Sequence, residues 1–178
     1  PYLILDKENL KETVKICVQG RINNAGQTCV AAKRFIVLAS IYEDFKAEFV
    51  RAMKQVTFGD PIKDEADMGP LSNQELQETL HQQVQDSINK GAKCHCGGEL
   101  PEGPGYFYPA TVLTDVKSGM PAYDEELFGP VAVLFKAKDI DDAVRLANDH
   151  RYGLGGGVFC ADDERALNVA HRINTGMV

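Results

Sequence analysis

The segment Gly26-Gln27-Thr28-Cys29 places a thiol behind small, turn-forming residues, just past a stretch of helical hydrophobic spacing. Such an approach lets a substrate carbonyl reach the sulfur and leaves the cysteine's own backbone N–H free to point at a developing oxyanion. Cys29 is therefore the candidate nucleophile for acyl-transfer chemistry on sulfur. The competing reading is a small buried hydrophobe without chemistry, the usual fate of a free cysteine. A second segment, Glu125-Glu126-Leu127-Phe128-Gly129-Pro130, follows much later in the chain and carries carboxylates and an aromatic ring ahead of a Gly-Pro pair.

Taken together, these segments carry a resemblance. Asn24-Ala25-Gly26-Gln27-Thr28-Cys29, followed by Ala32-Lys33-Arg34-Phe35, is similar to the nucleophile region of the NAD(P)-dependent aldehyde dehydrogenase superfamily. Glu125 through Val131 looks like that family's second signature. Gly69-Pro70-Leu71, Cys96-Gly97-Gly98, Tyr108 to Leu113, Ala147-Asn148 and Tyr152-Gly153-Leu154 recur at matching relative places, so the resemblance spans essentially the whole chain. Among subfamilies, the run Ala31 to Ile36 looks most like bacterial succinate-semialdehyde dehydrogenases.

The resemblance implies an α/β catalytic domain with a mostly parallel sheet flanked by helices. It implies NAD or NADP as cofactor, a small aldehyde as substrate with succinate semialdehyde the best guess, and a homo-oligomer. Cys29 would attack the aldehyde as thiolate, passing through a thiohemiacetal and a thioester. Glu126 would meet the nicotinamide ribose and Phe128 would position the nicotinamide ring, whereas Glu125 reads as structural or solvent-facing. Without the full pattern, the same residues would read as a solvated loop glutamate and a core phenylalanine. The family's glutamate general base and oxyanion asparagine fall outside these 178 residues. Residues 1–178 thus read as one nucleophile-bearing domain cut from a longer chain, without an N-terminal cofactor-binding domain or a C-terminal segment, and alone they are expected to be inactive.

Two departures bear on substrate and regulation. Several succinate-semialdehyde enzymes carry an arginine six residues before the nucleophile, where this chain has Asn23; Arg21 would lie on a different helix face. Ala31 stands where some relatives have a second cysteine able to form a regulatory disulfide. An enzyme that passes the thioester to coenzyme A, or a domain with a dead site, remains an alternative. A cysteine hydrolase would need a histidine base, and none of His81, His95, His150 and His171 has a sequence context that marks it.

Composition sets outer bounds. A chain of 178 residues with 44% hydrophobic content can bury one sizeable core. A net charge of −7 argues against nucleic acid, which needs a basic surface. No apolar run approaches the roughly twenty residues of a membrane helix, and no signal-peptide pattern opens the chain. Five cysteines in an irregular, odd set read as reduced thiols, in keeping with a cytoplasmic compartment. Cys94-His95-Cys96 lacks the second close ligand pair of a structural zinc site, so no metal is expected, and Ala92 to Gly97 reads as a strand with alternate side chains facing the core.

The elements that must position these residues follow from hydrophobic spacing. Leu10 to Ile22, Phe45 to Val56 and Leu76 to Ile88 repeat at helical intervals, as do shorter sets from Ile140 to Ala147 and from Ala166 to Ile173. The acidic clusters Asp139 to Asp142 and Asp162 to Glu164 read as helix starts. Apolar runs at Pro1 to Leu5, Phe35 to Leu38, Thr111 to Leu113, Val131 to Phe135, Val158 to Cys160 and Gly176 to Val178 read as strands. Their alternation with helices gives an α/β layer. Gly153 and Gly155 to Gly157 lead into a strand rather than a helix, which fits neither a dinucleotide fingerprint nor a P-loop.

Overall fold

The computed structural model describes residues 1–63 and 65–178. Among the described residues, six strands form one sheet in the order β3-β4-β5-β2-β1-β6, with β1 Tyr2–Ile4, β2 Arg34–Leu38, β3 Lys93–Cys96, β4 Thr111–Thr114, β5 Val131–Ala137 and β6 Gly157–Phe159. Every pairing is parallel except β3 with β4, which is antiparallel and shifts register between Cys94 and Cys96. The helices are α1 Leu10–Ile22, α2 Tyr42–Gln55, α3 Gln74–Asn89, α4 Pro121–Asp124, α5 Ile140–Asn148 and α6 Asp163–Ala170. The mostly parallel α/β layer expected from the sequence is the one observed.

A central parallel strand needs cover on both faces, and β2 shows how the cover is divided. Phe35 packs on Phe49 of α2, with ring centroids 5.0 Å apart, whereas its neighbour Arg34 reaches the Leu146 carbonyl of α5 at 2.8 Å. Successive side chains thus meet helices on opposite sides of the sheet. Phe45 and Phe49 of α2 stack at 5.4 Å and are fully buried.

Both acidic clusters start helices as the sequence suggests. Asp139 accepts from the Asp142 N–H at 2.8 Å and Asp162 from the Arg165 N–H at 3.0 Å, each satisfying a donor that the first turn leaves free. Short α4 was not foreseen. It starts with Pro121 at its first turn and is fixed from α3, where the Ser87 hydroxyl accepts from the Ala122 N–H at 2.9 Å.

Two strand expectations need correction. Gly176 to Val178 do not form a strand; Gly156 N–H donates to the Met177 carbonyl at 2.8 Å and Gly176 N–H to the Gly153 carbonyl at 2.9 Å, which lays the segment beside the glycine run without a ladder. Strand β6 ends at Phe159, so Cys160 lies beyond it. On β3, moreover, the core-facing alternation fails: Cys94 is exposed and Cys96 half-buried, because β3 is the bulged edge of the sheet.

Several segments noted for their recurrence are joints. Asn148 donates to the Arg172 carbonyl at 2.9 Å and accepts from the Asn174 N–H at 2.8 Å, tying α5 to the chain after α6. Gly153 lies so close to the Asn174 carbonyl that a Cβ would sit 2.7 Å from its oxygen.

Candidate active site

Helix α1 ends by reversing its backbone. Asn24, Ala25 and Gly26 take φ values of 52°, 52° and 75°, a left-handed run that costs energy at the two residues carrying a Cβ. The buried Arg21 guanidinium holds that turn, donating to the Gly26 carbonyl at 2.7 Å and the Val131 carbonyl at 3.4 Å. Burial pushes its pKa down to about 10, opposed by the charge of Glu126. Arg21 therefore faces inward while Asn23 is exposed, which is the different helix face expected from its position.

Gly26 rests on the second motif. A Cβ there would lie 2.3 Å from the carbonyl carbon and oxygen of Gly129, and one on Gly129 would lie 2.2 Å from Leu80 Cδ2. Only a glycine at position 26 allows the two segments this approach, whereas Gly129 makes room for Leu80.

Gln27, read in the sequence as part of a small approach to the thiol, is a clamp. Its amide nitrogen donates to the Asn24 carbonyl at 3.1 Å and the Pro70 carbonyl at 3.4 Å, and its oxygen accepts from the Ser72 N–H at 2.8 Å. The recurring Gly69-Pro70-Leu71 segment thereby supports the nucleophile turn.

Cys29 stands exposed in a turn closed by the Ala31 N–H donating to the Thr28 carbonyl at 3.0 Å. Among the described residues, no group accepts a hydrogen bond from the Cys29 N–H. Cys17, by contrast, is fully buried and burial drives its thiol pKa well up.

A cavity of about 270 Å³ brings Cys29 together with Lys33, Glu126, His150, Tyr152 and Leu154. Glu126 pairs with Lys33 at 3.0 Å through one oxygen, and its second oxygen has no hydrogen-bond partner among the described residues. Phe128 is half-buried and does not line this cavity; its ring centroid lies 5.9 Å from Lys33 Nζ. Glu125 is exposed and accepts from Gln83 at 2.8 Å, the structural placement expected for it.

Sequence reasoning did not single out Lys33, Arg34 or His150. Lys33 Nζ also donates to the carbonyls of Thr28, Cys29 and Ala31 at 3.2, 3.4 and 3.1 Å. Burial and the nearby Arg21 charge lower its pKa, while Glu126 raises it. Arg34 lies between the rings of Tyr123 and Phe135, 4.8 and 4.5 Å from their centroids, and forms part of the cavity wall. His150 is the one histidine on that wall; burial, then Arg34, lower its pKa. His81 and His95 instead meet Tyr108 at 3.3 Å and Thr114 at 2.8 Å. The signal for Lys33 was its place four residues after Cys29, but nothing in spacing tells which carbonyls or carboxylate it meets.

Comparison with known proteins shows which family shares this sequence and fold. The chain is 48% identical over 178 residues to a succinate-semialdehyde dehydrogenase [NADP(+)] of Deinococcus radiodurans, covering all of this chain and 37% of that protein. It superposes on the succinic semialdehyde dehydrogenase of Streptococcus pyogenes, solved with NADP+, with a TM-score of 0.94 and 36% identity, over 99% of this chain and 39% of that one. Lactaldehyde dehydrogenase of Escherichia coli matches with a TM-score of 0.95 and 34% identity, over 99% of this chain and 37% of that one, so the fold does not discriminate substrates. The chain thus spans well under half the length of these relatives. The defining sequence pattern of one family covers residues 1–178 from end to end, and with the two motifs joined as described, the chain belongs to the aldehyde dehydrogenase family.

Proposed function

We propose that residues 1–178 are the nucleophile-bearing domain of an NAD(P)-dependent aldehyde dehydrogenase that oxidises an aldehyde to a carboxylic acid, with succinate semialdehyde the first substrate to test. The observation that carries this reading is that an exposed Cys29 and a half-exposed Glu126 share one cavity and are bridged by Lys33.

Cys29 attacks as thiolate. Its sulfur bonds to the aldehyde carbon, the carbonyl π pair moves to oxygen, and the Cys29 N–H donates to the resulting oxyanion. Glu126 suits a ribose: one carboxylate oxygen is fixed by Lys33 and the other is open to hydroxyl donors. Phe128 offers an apolar ring to the nicotinamide. NAD(P), when bound, supplies the acceptor for the electron pair and hydrogen that the thiohemiacetal carbon loses in becoming a thioester. Water then cleaves the thioester and frees the Cys29 thiolate, with a glutamate base and an oxyanion asparagine contributed from outside residues 1–178.

The substrate reading rests on likeness to relatives named for succinate semialdehyde. Arg21 is engaged with Gly26 and Val131, so it does not supply the cation for a distal carboxylate. All five cysteines are free, in keeping with a cytoplasmic enzyme, and the family reading adds a homo-oligomer. Among the described residues, no helix is long and apolar enough to cross a membrane.

The test is reduced-cofactor formation by the full-length protein with NAD and with NADP, on succinate semialdehyde and on neutral short, long and aromatic aldehydes. Highest kcat/KM on the semialdehyde supports the substrate. Preference for neutral aldehydes keeps the chemistry and removes the substrate. Turnover that requires coenzyme A would replace hydrolysis by acyl transfer.

A further inference from the structure

Lys33 sits where the two halves of the site meet. Its ammonium has three N–H donors, and four acceptors surround it: the carbonyls of Thr28, Cys29 and Ala31 and the carboxylate of Glu126. Among the described residues it is the only hydrogen-bond donor to the Cys29 and Ala31 carbonyls. Its side chain is 18% exposed, against 37% for Glu126, so the pair is shielded more than a surface ion pair.

The bond to Thr28 has a geometric consequence. The Thr28 carbonyl and the Cys29 N–H belong to one planar, trans peptide unit, so they point in opposite directions. The Ala31 N–H at 3.0 Å and Lys33 at 3.2 Å together hold the Thr28 oxygen and so fix the direction of the Cys29 N–H. Lys33, as the cation of the two, draws amide electron density toward that oxygen and makes the N–H a stronger donor. The same ammonium fixes one oxygen of Glu126 and leaves the other open.

We propose that Lys33 is a positioning residue that sets two groups at once: it aims the Cys29 N–H at the oxyanion by gripping the Thr28 carbonyl, and it presents Glu126 to the cofactor ribose. This rests on the roles given above to Cys29 and Glu126.

The test uses the full-length protein with Lys33→Met, Lys33→Arg and Glu126→Ala variants. Three quantities are read: NADP affinity by calorimetric titration, kcat on the best aldehyde, and the rate of Cys29 alkylation by iodoacetamide. Alkylation, read as its limiting rate at high pH where the thiol is fully ionised, is a displacement at carbon that builds no oxyanion. It therefore reports an intact thiol and turn without reporting the N–H or the loss of the Lys33 charge. In Lys33→Met, NADP binding weakens about tenfold, as one lost charge-assisted contact would give. There kcat falls by at least about tenfold, and alkylation stays within about twofold of the parent because no oxyanion forms in that step. Lys33→Arg, which keeps the charge beside Glu126, recovers NADP affinity.

Two results overturn the proposal alone while Glu126→Ala still weakens NADP: parental NADP affinity and kcat in Lys33→Met, or turnover and alkylation falling in parallel, which marks Lys33 as a plain scaffold for the turn. Parental NADP affinity in Glu126→Ala overturns the cofactor role of Glu126 and this proposal with it.

Discussion

Gly26 lies flat against Gly129, so close that a Cβ on Gly26 would come within 2.3 Å of the Gly129 carbonyl. The nucleophile turn and the Glu-Glu-Leu-Phe-Gly-Pro segment are distant in sequence, and this contact makes them one object. Gly26→Ala faces both a backbone clash and φ of 75°, and we expect a loss of about 2–4 kcal/mol in unfolding free energy. Urea denaturation of the full-length protein checks it; a variant as stable as the parent would show that the turn can move off Gly129.

Arg21 separates anchoring from substrate recognition. Removing it strands the buried Gly26 and Val131 carbonyls. Arg21→Met should cost about 2–3 kcal/mol, since hydrogen bonds to charged groups are among the stronger ones. The ratio of kcat/KM for succinate semialdehyde over a neutral aldehyde should stay unchanged. A selective loss on the semialdehyde would instead make Arg21 a substrate clamp.

Gln27 bridges the turn to Pro70 and Ser72. Gln27→Ala leaves the Ser72 N–H without that acceptor, and about 1 kcal/mol of stability should go with it. Because Cys29 is two residues away, kcat should fall more than KM for aldehyde rises. Steady-state kinetics reads the split, and an effect on KM alone would contradict a positioning role.

The thiols should differ in their response to pH. Burial raises the Cys17 thiol far above its ordinary value of 9.0 and lifts Cys96 to about 11. A raised thiol pKa keeps the neutral, unreactive form as pH climbs, so Cys17 and Cys96 should stay slow to alkylate up to about pH 9. Exposed Cys29 should label first throughout. Peptide mapping after timed iodoacetamide exposure decides, and labelling of Cys17 as fast as Cys29 would favour an inert site.

Much of this was legible in the sequence, and what was missed has a common cause. Helices α2 and α3 and the caps Asp139 and Asp162 follow from spacing and local hydrogen bonding, which are short-range properties. Cys29 and Glu126 were found through their motifs, and the fold brings both to one cavity. Gln27 and Lys33 were misjudged or passed over because their partners, Ser72 and Glu126, are remote in the chain. A side chain's role as a strut depends on what the tertiary fold sets beside it. The expected strand at Gly176 to Val178 failed for a related reason: apolar composition marks a segment for burial, but a ladder needs a partner in register.

The central claim, that Cys29 is the nucleophile of an aldehyde oxidation, is tested most directly by reduced-cofactor formation in the full-length protein beside its Cys29→Ala variant, with NADP and succinate semialdehyde. The account predicts turnover in the parent and its loss in Cys29→Ala to below about one-thousandth, as removal of a covalent nucleophile would give, with NADP binding retained. Turnover in Cys29→Ala close to that of the parent would contradict it.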